Sequence, residues 1–238
     1  MLDRRTFAAA NWCRDGPLAL RRATGRTIML AYLFWHRPHS TTTVKQYEEA
    51  LLRFQQHLGQ QEPPGFRGSA SFRVADLPWL GNQPGYEDWC LLDGSWALDP
   101  LNSFAVAGPV VGAHDAAATQ MDEGYGGLYA LVWGEPVLPK QSTAVWLTRP
   151  RGIQWRTTLD ALQLPGTTLW RRQMVLGPGK EFALIVPPGL NVAAPAGWSA
   201  CSTTIHQLVS LKFKRLFAET KCSSVCARDP TSVLNAQS

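Results

Sequence analysis

The chain has 238 residues, 45% hydrophobic and 17% charged, with a net charge of +5. That is enough apolar material for a sizeable core, as one large domain or two small ones, and no apolar run approaches the roughly 20 residues of a membrane-crossing helix. The positive charge sits at the ends, +4 in residues 1–26 and +3 in residues 211–238, leaving −2 for the body, which is not the clustered basic face that nucleic acid requires.

Asp3-Arg4-Arg5-Thr6-Phe7 resembles a twin-arginine export signal, but Ala8–Ala10 gives way at once to Asn11, Arg14 and Asp15, where an export signal needs an apolar stretch. Residues 1–26 therefore read as a basic extension, and residues 219–238 as a disordered tail. Ile28–Phe34 (IMLAYLF) is a continuous apolar run, the mark of a strand buried on both faces. Thr43 and Gln46 have capping-box spacing. Val44, Tyr47, Leu51, Phe54 and Leu58 then recur at helical intervals up to Gly59, which predicts an amphipathic helix.

Phe66, Gly68, Ala70, Phe72 and Val74 alternate with Arg67, Ser69, Ser71 and Arg73, a strand with one wet face. Tyr86–Leu92 is the next strand, and Asp99-Pro100 has the signature of a helix start. A further helical piece covers Ala113–Met121, and Gly127–Gly134 closes the unit as a strand. The order is β-α-β-β-α-β, a ferredoxin-like unit spanning residues 27–136. A second pass runs through residues 140–218. It holds strands at Thr143–Thr148, Thr168–Leu176 and Glu181–Val186, a short helix at Ile153–Leu164, and a helical pattern over Ser202–Phe217. That is the same order without its last strand, which an internal duplication explains.

Sheets covered by helices on one side only, yet apolar on both, must bury their second face, and the other unit offers the nearest surface. The expected fold class is α+β: two ferredoxin-like units packed sheet to sheet as a pseudo-dimeric barrel with an interior cavity. The order and the duplication resemble the dimeric α+β barrel superfamily over roughly residues 28–210. That superfamily includes cofactor-free monooxygenases, EthD-like proteins, muconolactone isomerase-like enzymes and chlorite-dismutase-like haem proteins. The likeness is one of topology, so it implies a fold and a range of functions but no residue roles, and it leaves room for a homo-oligomer.

The candidates for chemistry come from residue types. His114-Asp115 opens a helix, where the imidazole suits a general base beside a carboxylate, although a cap-region pair is the commoner role. On the strand Tyr86-Glu87-Asp88-Trp89, Glu87 and Trp89 share one face while Tyr86 and Asp88 share the other. Either choice of inward face takes in one carboxylate beside an aromatic ring, and desolvation tunes such a group toward neutrality. His36 and His39 have a two-residue spacer suited to metal only if a third ligand converges, and His206 is the haem-ligand candidate of the second unit. Neither forms a convincing cluster, so no metal and no cofactor are expected. Gly177-Pro-Gly-Lys180 lacks phosphate-loop spacing and reads as a hairpin turn. Trp35, Trp133 and Trp146 fall at strand ends, where indoles bound a cavity mouth, and with His36 and Trp89 they form the expected ligand-binding set. The five scattered cysteines read as reduced thiols, consistent with a cytoplasmic protein.

These residues point to a protein that binds a small, largely apolar or aromatic molecule. Cofactor-independent oxygenase or isomerase-type chemistry would use His114 with Glu87 or Asp88. A non-catalytic binding or assembly protein is the competing class, and a haem-binding barrel the third.

Overall fold

The computed structural model describes residues 28–136 and 140–211; both terminal segments expected to lie outside the core fall beyond these residues. Strand β1 (Leu30–Pro38) leads into helix α1 (Val44–Gln61). The Thr43 hydroxyl accepts the Gln46 amide, and the Gln46 side chain accepts the Thr43 amide, so the capping box satisfies two of the helix's orphan donors. The helix passes through Gly59 and stops at Glu62, whose backbone is left-handed. Strands β2 (Phe66–Val74) and β3 (Gly85–Leu92) follow, then α2 (Leu98–Val106), α3 (Val111–Ala118) and β4 (Met121–Trp133). The second half comprises β5 (Gln141–Thr148), α4 (Trp155–Asp160), β6 (Thr168–Gln173), β7 (Phe182–Val186) and β8 (Ser199–Ser210).

The eight strands among the described residues pair antiparallel in one closed barrel, in the order β1-β3-β2-β8-β5-β7-β6-β4 and back to β1. Two equivalent four-stranded sheets, β4-β1-β3-β2 and β8-β5-β7-β6, are joined at the β2–β8 and β4–β6 seams. Closure leaves no sheet edge open. Among the described residues no helix is long and apolar enough to cross a membrane.

Several sequence expectations are corrected. The helical pattern over Ser202–Phe217 is strand as far as Ser210. Its Ser-Thr-Thr-Ile run is β-branched and suits a pleated surface, and Ile205 is fully buried in the barrel core. Among the described residues the second half is thus β-α-β-β-β, with its last strand present and no second helix. Asp99 does not cap a helix. The helix begins at Leu98 after a short 3-10 turn, Ala97 stands at the N-cap without a side-chain bond, and Asp99 lies in the first turn, where its charge suits the helix dipole. The polar face of β2 is wet only at its ends, at Arg67 and the exposed Arg73. Ser69 and Ser71 are fully buried and hydrogen-bond to Gln55 of α1.

The expected interior cavity is occupied by side chains. Trp35, Trp89, Trp146 and Trp170 are fully buried inside the barrel with Phe72 and Tyr129, and their rings meet edge to face at 5.5–6.2 Å. An eight-stranded barrel is just wide enough for side chains to fill it, and large aromatics do so here. Outside, α4 and the segment before β8 seal the second sheet through Leu159, Leu190 and Trp198. Helices α1, α2 and α3 cover the first sheet less completely.

Candidate functional site

A cavity of about 460 Å³ lies between α1–α3 and the outer face of β1 and β3. Alternation along β1 aims Tyr32, Phe34 and His36 at it and sends Leu33 and Trp35 into the barrel. The same alternation on β3 gives Asp88 and Cys90 to the cavity and Glu87 and Trp89 to the interior. Helix α1 contributes Tyr47, Leu51, Phe54 and Leu58, one stripe at helical spacing. His114 of α3 and Asp99 of α2 complete the polar lining beside Asn102.

The polar group at the centre of this lining is His36, buried to 1% exposure. Its ring lies between Phe34 and Tyr86, at centroid distances of 5.2 and 5.6 Å and within 25° of parallel to both. Tyr47 Oη sits 2.6 Å from His36 Nδ1. Burial pushes the Tyr47 hydroxyl far above the usual phenol range, with Asp88 adding to the effect, so Tyr47 keeps its proton and is able to donate it to Nδ1. In the tautomer that accepts this bond, the imidazole hydrogen is on Nε2. Nε2 lies 3.3 Å from Asp88 Oδ2, close enough to interact but out of line for a hydrogen bond. Both His36 Nε2 and Asp88 Oδ1 are buried without an aligned partner. Native interiors leave few such groups unsatisfied.

Outside this pair, Tyr86 Oη donates to Glu48 at 3.0 Å, and Arg73 grips the same carboxylate through Nε and Nη2 at 2.5 and 2.6 Å. The Arg73 hydrogen bonds hold Glu48 below the usual carboxylate range. Arg73 is therefore spent on Glu48, and among the described residues no lysine or arginine lines the cavity. Burial pushes the Cys90 thiol well above its ordinary range, with Asp88 reinforcing the shift, so Cys90 is a buried thiol and not a thiolate nucleophile.

No family model matches the sequence, and no curated protein matches it significantly. Solved structures do share the architecture. A provisionally assigned monooxygenase from Lactobacillus acidophilus NCFM superposes with a TM-score of 0.50 at 9% identity, covering 77% of this chain and 95% of that one. A provisionally assigned chlorite dismutase gives 0.50 at 9% identity, covering 76% and 95%. An anthrone oxidase-like protein gives 0.49 at 11% identity, covering 78% and 93%. With the closed antiparallel barrel and its repeated strand order, the first two settle the architecture. The fold is that of the dimeric α+β barrel. Here both halves of the barrel belong to one chain.

Within this barrel the sequence-derived candidates separate. Asp88, His36 and His114 line one cavity. His114 is one-third exposed, with its Nδ1 3.0 Å from Asp115 Oδ1 and its ring edge against Phe54. Glu87 lies on the other side of the sheet, where Trp35 Nε1 donates to one carboxyl oxygen at 2.8 Å and Trp89 Nε1 to the other. Burial pushes its pKa up to about 7 against the pull of these indoles. A full strand thickness separates it from His114, so the two share no site. Trp35, Trp89 and Trp146 fill the barrel and do not bound a cavity mouth, and Trp133 lies at the β4–β6 seam, 3.4 Å from Thr167.

His206 is exposed on β8 opposite Arg73 and Gln141 and does not line the cavity. Among the described residues that line the cavity, no lysine or arginine is placed to meet the carboxylates of haem. His39 is exposed and bonds to Thr41, and among the described residues no group of three His, Cys, Asp or Glu side chains is placed to hold a metal. Tyr47, Tyr32 and Phe34 are the site residues that sequence reasoning missed. The one signal for Tyr47 was a hydroxyl inside an otherwise apolar helical stripe.

Proposed function

We propose that this barrel binds a small, largely apolar molecule through a single hydroxyl-like head held by Asp88 and His36, and that proton transfer to Asp88 is the chemistry the site performs. The observation that carries the reading is the buried pair of atoms without a hydrogen bond, Asp88 Oδ1 and His36 Nε2, the second only 3.3 Å from Asp88 Oδ2. One is an acceptor and the other a donor, and a hydroxyl satisfies both at once. The apolar lining from Phe34, Leu51, Phe54 and Leu58 accommodates the body of the ligand. The acidic lining without cations disfavours carboxylates and phosphates.

In this arrangement Asp88 Oδ1 accepts the hydroxyl proton, and the His36 Nε2 hydrogen faces the oxygen as it becomes negative. Tyr47 is a positioning residue that holds the tautomer this step needs. The resulting oxyanion is the starting point for cofactor-independent oxygenation or isomerisation, and oxygenation agrees with the monooxygenase name of one similar structure. His114 stands at the partly exposed side of the cavity, the place for a second acid or base. The barrel closes within one chain, so a homo-oligomer would add copies without completing the site.

Calorimetry with naphthol, its methyl ether and naphthoate tests this directly. Naphthol is expected to bind, the ether to bind about tenfold more weakly for want of a proton to donate, and naphthoate not to bind. Asp88→Asn should abolish the preference for naphthol over the ether. Equal binding of naphthol and ether by the unaltered chain would count against the reading.

A further inference from the structure

Strand β4 carries Gly124 and Gly126 on the same face as Leu128 and Ala130, the face turned toward the helices. Their strand partners on β1 are His36 and Phe34. A methyl group built on Gly124 would lie 2.4 Å from Phe34 Cζ, and one on Gly126 would lie 3.0 Å from the Tyr32 hydroxyl and 3.1 Å from its Cε2. Both glycines lie in regular extended strand and are absent from the left-handed set. Backbone conformation does not require them. What requires them is the space that the two aromatic rings occupy.

Phe34 and Tyr32 therefore lean across the sheet onto the bare backbone of β4 instead of standing up into the cavity they line. Each ring is near parallel to its neighbour along the row, Tyr32 to Phe34 at 6.5 Å and 19°, Phe34 to His36 at 5.2 Å and 25°. A side chain on β4 would lift the end of a ring, because the ring tip is the atom it meets and the strand behind it is pinned by pairing on both sides. The displaced ring has one place to go, which is the cavity.

We infer that Gly124 and Gly126 are specificity-determining residues that set the depth of the cavity, and so the largest ring system it admits, by letting Phe34 and Tyr32 lie flat. This rests on the reading of that cavity as the binding site and adds the control of ligand size. The glycines touch no ligand themselves and act through the two rings. A glycine pair serving strand packing alone would affect every ligand equally, whereas a pair that sets depth discriminates by size.

The test uses phenol, naphthol and anthrol, with one, two and three fused rings, measured calorimetrically against the unaltered chain, Gly124→Ala and Gly126→Ala. The variants are expected to weaken anthrol by about tenfold or more, the scale of one methyl group in a closely fitted pocket, and to leave phenol within about twofold. Adding Tyr32→Ala to Gly126→Ala should restore anthrol binding by removing the ring the new methyl lifts. Circular dichroism melts confirm that each variant is folded, and Gly126→Ala, with the longer contact, serves if Gly124→Ala does not fold. Equal weakening of all three probes, no weakening of anthrol, or no restoration by Tyr32→Ala overturns the inference while leaving the cavity as the binding site. Failure of all three to bind the unaltered chain overturns both together.

Discussion

Trp89→Ala is expected to destabilise the chain by about 3–5 kcal/mol, the range for deleting a fully buried large aromatic side chain. Trp89 has no exposed surface, packs edge to face on Trp170 at 5.5 Å and 67°, and donates its indole hydrogen to Glu87. A closed barrel cannot collapse inward to fill the space, because every strand is paired on both sides. The loss also leaves one Glu87 oxygen without its donor in a dry interior, which adds a polar cost to the cavity cost. Urea denaturation of both proteins measures the difference. A change below about 1 kcal/mol would mean that the interior repacks freely, contrary to this description.

The second large effect is a loss of stability with rising pH that depends on Glu87. Burial raises its folded pKa to about 7 from the ordinary 4.5. In the unfolded chain the group ionises near 4.5, whereas in the barrel it keeps its proton until about pH 7. Unfolding in that window releases a proton, so stability is fully present below the lower value and declines as pH rises through the upper one. A shift of this size corresponds to about 3 kcal/mol. Melts of the unaltered chain between about pH 5 and pH 8 should show the decline. Glu87→Gln should remove most of the slope, and its amide nitrogen should cost about 1–3 kcal/mol at every pH by meeting an indole donor where an acceptor is needed. A slope that survives the substitution unchanged would assign the pH dependence elsewhere.

Much of this architecture was legible in the sequence because alternation along strands is physical. On Tyr86–Leu92 it separates Glu87 and Trp89 from Tyr86 and Asp88 on sequence alone. It did not say which face was the barrel's inside, since a barrel covered by helices buries both faces and all eight residues of β3 are buried. Trp35 and Trp146 read as bounding a cavity mouth for the same reason. An indole at a strand end reads alike whether the space beyond it is open or packed, and here the four fully buried indoles fill it. Ser202–Phe217 misled because a short polar and apolar mixture fits helical spacing about as well as strand spacing. Pairing with β2 and β5, which no local pattern records, decided the matter. The Tyr47–His36–Asp88 arrangement was invisible for a related reason: its members come from three elements that only closure of the first sheet under α1 brings together.

The central claim is that the working site lies between the helices and the sheet, on the Asp88 side, and not inside the barrel on the Glu87 side. A crystal structure with naphthol bound tests it most directly. The account predicts the rings beneath α1–α3 against Phe34 and Phe54, with the hydroxyl oxygen about 3 Å from both Asp88 Oδ1 and His36 Nε2. Naphthol lodged among Trp35, Trp89 and Trp146, or bound away from Asp88, would contradict it.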